Sequence, residues 1–538
     1  MTEIFEPDAD VFWGKRGRVT GRKRKPEKEK FRLQSKRKRL IMSVNAFLQE
    51  SVERKGEGRD MNLKLDFKIL GHVLMLEAVT MLIPLAAALY YGESLTPFLG
   101  TMLVCVLSGI FLSRQKTETK FYGRDGYFTV GLIWIATCLI GALPFQFSGY
   151  FPSFIDCFFE SASGFTTTGS TILTDIEALP NGILLWRSFT HWLGGMGVLV
   201  LATAIMPLFE INAKYLTLAE SPGPIFSKLV PKQSDTSKIL YSIYISLTLI
   251  LALLLRAAGM PWFDALLHAF STAGTGGFSS KNASIAAYDS MTIEMIIAVF
   301  MIIFSINFAI HFLLLTKRVK EAFQSDELRF FLGIVAVATL LIFLNVFGKY
   351  DSIVESFRYA FFHVAAIIST TGFSTTDWLE WPHFSQMVLI IIMFIGASAG
   401  STGGGIKCSR ILVLLRYIKR EISTISHPRM VKLVKIDGQV VEEKTVDSIL
   451  LFIGSYITII LAAALIISLD DYSFAVSFSS ALTSMSNVGP GLEDVGPVLN
   501  HAILSPLSKL TMAITMIIGR LEIFPILVLF TPRLWKSK

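Results

Sequence analysis

Charge is what this chain has least of: only 17% of its 538 residues are Asp, Glu, Lys or Arg, against about a quarter in a soluble protein. With 52% hydrophobic residues, that scarcity excludes a water-soluble protein of this size. Cysteine is scarcer still. Cys105, Cys138, Cys157 and Cys408 lie far apart in mostly apolar surroundings, with no CxxC pair and no metal spacing, so they read as small core residues. His191, His268, His311 and His363 form no ligand set either, and buried hydrogen bonding is their expected role. No short apolar core with a small-residue cleavage site follows the N-terminal basic region, so a cleaved signal peptide is not expected.

What the chain does have is long apolar runs. From Phe67 to the C-terminus they recur, each near or above the roughly 18 residues that cross a hydrocarbon layer of about 30 Å as a helix. Two are predicted at 66–91 and 95–113, followed by a basic loop with Arg114, Lys116, Lys120 and Arg124. Beyond it one plan repeats: a long helix, a short apolar segment, a Gly/Thr/Ser-rich stretch and a second long helix. The long helices fall near 126–147 and 180–207, 238–259 and 289–315, 328–348 and 384–418, then 446–468 and 503–531. The expected fold is an all-α polytopic membrane protein with about ten spans. It divides into a basic tail (1–60), two extra N-terminal helices (61–115) and four pore repeats (116–236, 237–324, 325–440 and 441–538).

The tail holds seventeen Lys and Arg against ten Asp and Glu, which is +7 of the formal net charge of +8. Before a first membrane span, such a tail marks the cytoplasmic side and touches anionic lipid; nucleic acid is the less economical partner. Basic connections also follow the second helix of each repeat, while acidic residues such as Asp175, Glu177, Asp377, Glu380, Glu493 and Asp494 lie between the helices. Both termini and the basic loops are therefore expected inside.

The short segments align as "SFIDCFFESASGFTTTGST", "PWFDALLHAFSTAGTGGFSS", "SFRYAFFHVAAIISTTGFSTT" and "YSFAVSFSSALTSMSNVGPGL". Each is an aromatic-rich half-helix, a small polar run and one glycine: Gly169, Gly277, Gly372 and Gly489. Four copies in one chain imply a pseudo-fourfold arrangement. Non-helical backbone at membrane depth is tolerated only where protein or water satisfies its polar groups, and four such stretches can share one aqueous axis. Glycine lets carbonyls turn toward that axis, where rings of them replace the hydration shell of a monovalent cation. The candidate ion-filter residues are Thr167, Thr168, Gly169 and Ser170, then Thr275, Gly276, Gly277 and Phe278, then Thr370, Thr371, Gly372 and Phe373, then Asn487, Val488, Gly489 and Pro490.

In the third repeat "GASAGSTGGGIKCSR" interrupts the second helix. Gly and Ser at that density cannot hold a helix, so Gly396, Gly400, Gly403, Gly404, Gly405 and Lys407 are expected in a flexible loop beneath the filter, able to obstruct it. Arg520 lies among apolar residues of the last helix near Glu522, and an intramembrane charge faces a bundle interior or aqueous cavity. It would repel a waiting cation unless the Gly-rich loop or a carboxylate engages it. "GASAG" also matches the G-x-S-x-G nucleophile pattern at Ser398, the alternative reading being an intramembrane serine hydrolase. A nucleophile elbow needs a preceding strand, and none is expected. "GSTGGGIK" approaches a phosphate loop, but Ile406 intervenes before Lys407 and there is no βαβ context.

Together "ASGFTTTGST", "RSFTHWLGGMGVLVL", "STAGTGGFSS", "ISTTGFSTT", "GASAGSTGGGIKCSR", "SNVGPGL" and "GRLEIFPILVLF" resemble the Trk/Ktr/HKT superfamily of potassium transporters, in its TrkH/TrkG-type branch, over about residues 66–535. The resemblance implies potassium uptake across the inner membrane, by symport or channel-like conduction. It assigns Gly169, Gly277, Gly372 and Gly489 as filter glycines, 396–407 as the intramembrane gating loop and Arg520 as the pore arginine. Glycine at the first position resembles the potassium-permeating pattern; a sodium- and potassium-permeable transporter is the alternative. Implied partners are a second copy of the chain and a cytoplasmic ring of TrkA-type subunits. Nucleotide is expected only on that ring, and this chain itself is expected to need no cofactor. The fourth repeat departs from the Thr-x-Gly-Phe style at Asn487 and Pro490.

Overall fold

The computed structural model describes residues 63–115, 123–197, 233–427 and 432–529. The basic tail, Lys116 and Lys120 of the first basic loop, most of the connection before Lys238 and the terminal basic segment lie outside the described residues. Two helical hairpin arms come first: α1 (Leu63–Thr80) continues as α2 (Leu82–Tyr90), and α3 (Thr96–Ser113) packs back on α1. Gly71 and Gly109 sit at that crossing, where a Cβ on Gly71 would stand 2.8 Å from the Gly109 carbonyl oxygen. Small residues allow this approach between membrane helices.

Four units follow. The first holds α4 (Gly123–Gly141), α5 (Leu143–Ser148), the half-helix α6 (Phe154–Phe165) and α7 (Asn181–Gly195). The second holds α8 (Gln233–Ala257), the half-helix α9 (Trp262–Gly274), α10 (Met291–Ser305) and α11 (Phe308–Leu315). After the short α12 (Val319–Gln324), the third holds α13 (Asp326–Val346), the half-helix α14 (Ile353–Ile368), α15 (His383–Ile395) and α16 (Cys408–Ser426). The fourth holds α17 (Glu443–Ile467), the half-helix α18 (Phe474–Ser486), α19 (Pro506–Arg520) and α20 (Phe524–Leu529). Serine caps open three of the half-helices: Ser153 accepts from Asp156 N, Ser352 from Glu355 N and Ser473 from Val476 N. These side chains satisfy amides that the first helical turn leaves free.

Six helices among the described residues are long and apolar enough to cross a membrane, fewer than the ten spans expected from the sequence. In three units the second long helix is interrupted: α10 and α11 meet at a 98° bend, α15 and α16 flank residues 396–407, and α19 and α20 are separated by Leu521, Glu522 and Ile523. The predicted helix 180–207 is helical to Gly195, and its part beyond residue 197 lies outside the described residues. Between α16 and α17 the connection carries a two-stranded antiparallel hairpin, β1 (Lys435–Ile436) and β2 (Gln439–Val440). Its turn residues Asp437 and Gly438 both have left-handed backbone, at φ 51° and 77°, the requirement of a tight hairpin turn.

Candidate ion pathway

All four half-helices end alike. The residue two before each glycine is left-handed: Thr167 (φ 58°), Thr275 (φ 57°), Thr370 (φ 62°) and Asn487 (φ 55°). The next amide reaches back five residues, Thr168 N to Ser163 O, Gly276 N to Ser271 O, Thr371 N to Ala366 O and Val488 N to Thr483 O, at 2.8–3.1 Å. This is a Schellman closure, in which glycine is the usual left-handed residue. A β-branched threonine in that conformation is an outlier, and such strain concentrates at functional sites. Each filter glycine is then left-handed again, at φ 85°, 81°, 78° and 100° for Gly169, Gly277, Gly372 and Gly489. The fourth repeat keeps the same backbone despite Pro490, because asparagine also tolerates the left-handed region.

The glycines close a ring. A Cβ on Gly169 would collide with the Gly276 carbonyl oxygen, one on Gly277 with Thr371 O, and one on Gly372 with Val488 O. At Gly489 it would stand 2.8 Å from Thr168 O. Every repeat thus abuts the carbonyl of the next, in the order one, two, three, four and back to one. No side chain fits at any of these positions. Ser170 donates from its hydroxyl to Gly489 O at 3.1 Å across the last seam. The side chain of Phe278 is buried under the Arg187 guanidinium, 3.6 Å from its ring centroid, and stacks on His191 at 4.1 Å. Phe373 packs beside His268.

Behind the ring, the half-helices hold the strand that follows each glycine. Glu160 accepts from Thr171 Oγ1 at 2.9 Å and Ile172 N at 3.2 Å, and pairs with Arg187 at 2.5 Å. His268 Nε2 bonds Ser279 Oγ, His363 Nε2 bonds Thr376 O, and Ser479 Oγ accepts from Leu492 N. Glu160, His268 and His363 each stand nine residues before their glycine. The histidines are therefore hydrogen-bonding groups, as their isolation in sequence implies. The Glu160–Arg187 pair was not anticipated, although the shared offset of Glu160 with two histidines is a readable signal.

Residues 396–407 press against the inner ends of the half-helices. Gly404 N donates to Thr370 Oγ1 at 2.7 Å, and a Cβ on Gly404 would collide with Ser486 O. Gly403 lies against Ser369 O, and Gly396 against Gly405. The broken helix of the second repeat supplies further bonds: Ser398 N to Ser305 O at 3.1 Å, Phe308 N to Gly400 O at 3.0 Å and Thr402 Oγ1 to Phe304 O at 3.1 Å. Ala399 N donates to the buried Glu327 carboxylate at 2.6 Å. Lys407, itself left-handed at φ 85°, donates from Nζ to Gly403 O. The glycines thus serve close packing of the segment against the half-helices.

Arg520 spans the remaining gap. Its guanidinium donates to Thr402 O of the loop at 2.8 Å, to Gly195 O at 2.8 Å and to Gly194 O. The loop, not Glu522, engages it; Glu522 pairs with Arg410 at 2.5 Å. Ser398 Oγ has no hydrogen-bond partner, and a serine nucleophile requires a base within reach. The described residues thus give the hydrolase reading no base. Among the described residues, no group of three or more His, Cys, Asp or Glu could hold a metal ion.

The family profile described as "TrkH: Cation transport protein" matches residues 97–537. The chain is 38% identical over 493 residues to the Trk system potassium uptake protein TrkH of Salmonella typhimurium, covering 89% of this chain and 100% of that protein. It is 34% identical over 475 residues to the Trk system potassium uptake protein TrkG of Escherichia coli, covering 87% and 97%. The crystal structure of the potassium transporter TrkH from Vibrio parahaemolyticus superimposes with a TM-score of 0.79 at 35% identity, covering 88% of this chain and 100% of that one. These are transporters rather than enzymes. With its multiple spans and four-repeat ring, this multi-pass membrane protein belongs to the TrkH family of cation transport proteins.

Proposed function

We propose that the chain is the ion-conducting membrane subunit of a potassium uptake system. The observation that carries the reading is the closed ring in which each filter glycine abuts the carbonyl of the next repeat. Backbone carbonyls at one level can replace the hydration shell of a dehydrated potassium ion, which enters this account as the transported substrate. Loop 396–407 with Arg520 forms the gate: it is tied to the filter at Thr370 and, through the arginine, to the first repeat. Arg520 places a positive charge beneath the ring, which opposes cation exit while the loop is seated.

The relatives' names support a Trk-type assembly. In it the chain would be a homodimer in the inner membrane with both termini cytoplasmic, resting on a ring of nucleotide-binding TrkA-type subunits. No cofactor of its own enters the reading. The test is growth of a potassium-uptake-deficient bacterium in low potassium, with rubidium flux measured in parallel. The wild type restores growth, Gly169→Ser loses potassium preference, and Arg520→Ala raises flux through weakened closure. If neither substitution alters rubidium flux, the pore assignment is wrong.

A further inference from the structure

The ring is not evenly tight. At three seams the glycine and the neighbouring carbonyl are packed so closely that a Cβ would overlap the oxygen, but at the seam between repeats four and one a Cβ on Gly489 would keep 2.8 Å from Thr168 O. Three seams therefore bring backbone closer to backbone than the fourth does. The fourth is the widest of the four, though still too close for a side chain. Selectivity for a larger over a smaller monovalent cation requires that the carbonyl cage not collapse onto the smaller one, whether cage size or the carbonyl field dominates.

That seam carries a brace from its own left-handed filter residue. Asn487 replaces the threonine found at the equivalent position of the other repeats, and its Nδ2 donates to Thr168 Oγ1 at 2.9 Å and to Met516 O at 3.0 Å. Thr168 Oγ1 lies 2.8 Å from Thr166 Oγ1, which donates to Ala162 O at 2.6 Å. The Asn487 amide thus ties α19 to the hydroxyl ladder of the first half-helix, all of it fully buried. In repeats one and two, by contrast, the threonine hydroxyl turns to its own preceding carbonyl: Thr167 to Thr166 O and Thr275 to Gly274 O. It bridges nothing.

We propose that Asn487 is a specificity-determining positioning residue, which fixes the separation of repeats four and one and so keeps the carbonyl ring from closing on sodium. This rests on the filter reading above. Asn487→Thr tests it with a side chain that three repeats already accommodate in this backbone conformation. Thr168→Val removes the acceptor from the other side, and Thr168→Ser keeps it. The readout is the ratio of potassium to sodium uptake in proteoliposomes, alongside the amount of folded protein recovered by size-exclusion chromatography.

Asn487→Thr and Thr168→Val should each lower the ratio about fivefold, the factor expected for one net hydrogen bond. The double variant should fall no further than either single one, and Thr168→Ser should retain the wild-type ratio. An unchanged ratio in both Asn487→Thr and Thr168→Val overturns the proposal, as does loss of flux from properly folded variants with no change of ratio. A wild type that passes neither ion overturns the filter reading instead. If Asn487→Thr fails to fold, Thr168→Val against Thr168→Ser decides the question alone.

Discussion

Glu327 stands one residue inside α13, buried, with its carboxylate accepting from Ala399 N at 2.6 Å. Replacing it by alanine leaves that loop amide buried without this acceptor while the loop is seated. Once the loop swings free, the amide meets water. The penalty of an unsatisfied buried donor is about 1–3 kcal/mol, and it falls on the closed state alone. Such a bias moves an equilibrium roughly 5- to 150-fold, here toward the open pore. Glu327→Gln keeps a carbonyl oxygen in place and should shift it far less. Single-pore recording in planar bilayers, or initial rubidium efflux from proteoliposomes, reads the change. If Glu327→Ala conducts no more than the wild type, or if Glu327→Gln opens the pore as much, the tether does not hold the loop closed.

Other outcomes follow from the same geometry. Arg187→Met leaves Glu160 as a buried, uncompensated charge, which costs about 3–5 kcal/mol. Its melting temperature in detergent should fall sharply, and adding Glu160→Gln should recover much of the loss. Gly277→Ala places a Cβ on the Thr371 carbonyl at a backbone φ of 81°, so rubidium uptake per folded molecule should drop to background. Asp437 accepts from Asp326 N at 2.6 Å, and Asp437 N donates back to the Asp326 carboxylate at 2.9 Å. Asp437→Ala should therefore raise hydrogen exchange across 432–441 while leaving the half-helices protected.

The repeats were legible because a glycine must recur wherever backbone passes this close to backbone, and steric necessity leaves a mark in sequence. The third interruption was legible for the same reason, through its glycines. The interruption at Ile306 and Asn307 was harder to read: Asn307 caps α11 by accepting from Ala309 N at 2.9 Å, but a single asparagine in an apolar run does not by itself fix a break. There the loop of another repeat supplies the missing bonds, through Ser305 O and Phe308 N, and local composition does not record a tertiary partner. Arg520 could be picked out as an intramembrane charge, but it donates to the carbonyls of Thr402, Gly194 and Gly195, and carbonyls carry no side-chain signature. The hairpin was missed within a basic connection, although Asp437–Gly438 is the dipeptide that such turns favour.

The ring also dictates an order of events during synthesis. Its final seam joins residues 319 positions apart, Ser170 to Gly489 and Thr168 to Asn487. At ordinary elongation rates roughly 15–60 s separate their emergence from the ribosome. Throughout that interval the first half-helix waits in the bilayer with Thr168 lacking the neighbour it will later serve. A chain terminated after the third repeat retains two of the three tight seams and still encloses nothing. Loop closure over such a span comes late in folding, so the newest quarter of the protein completes the cage around the oldest.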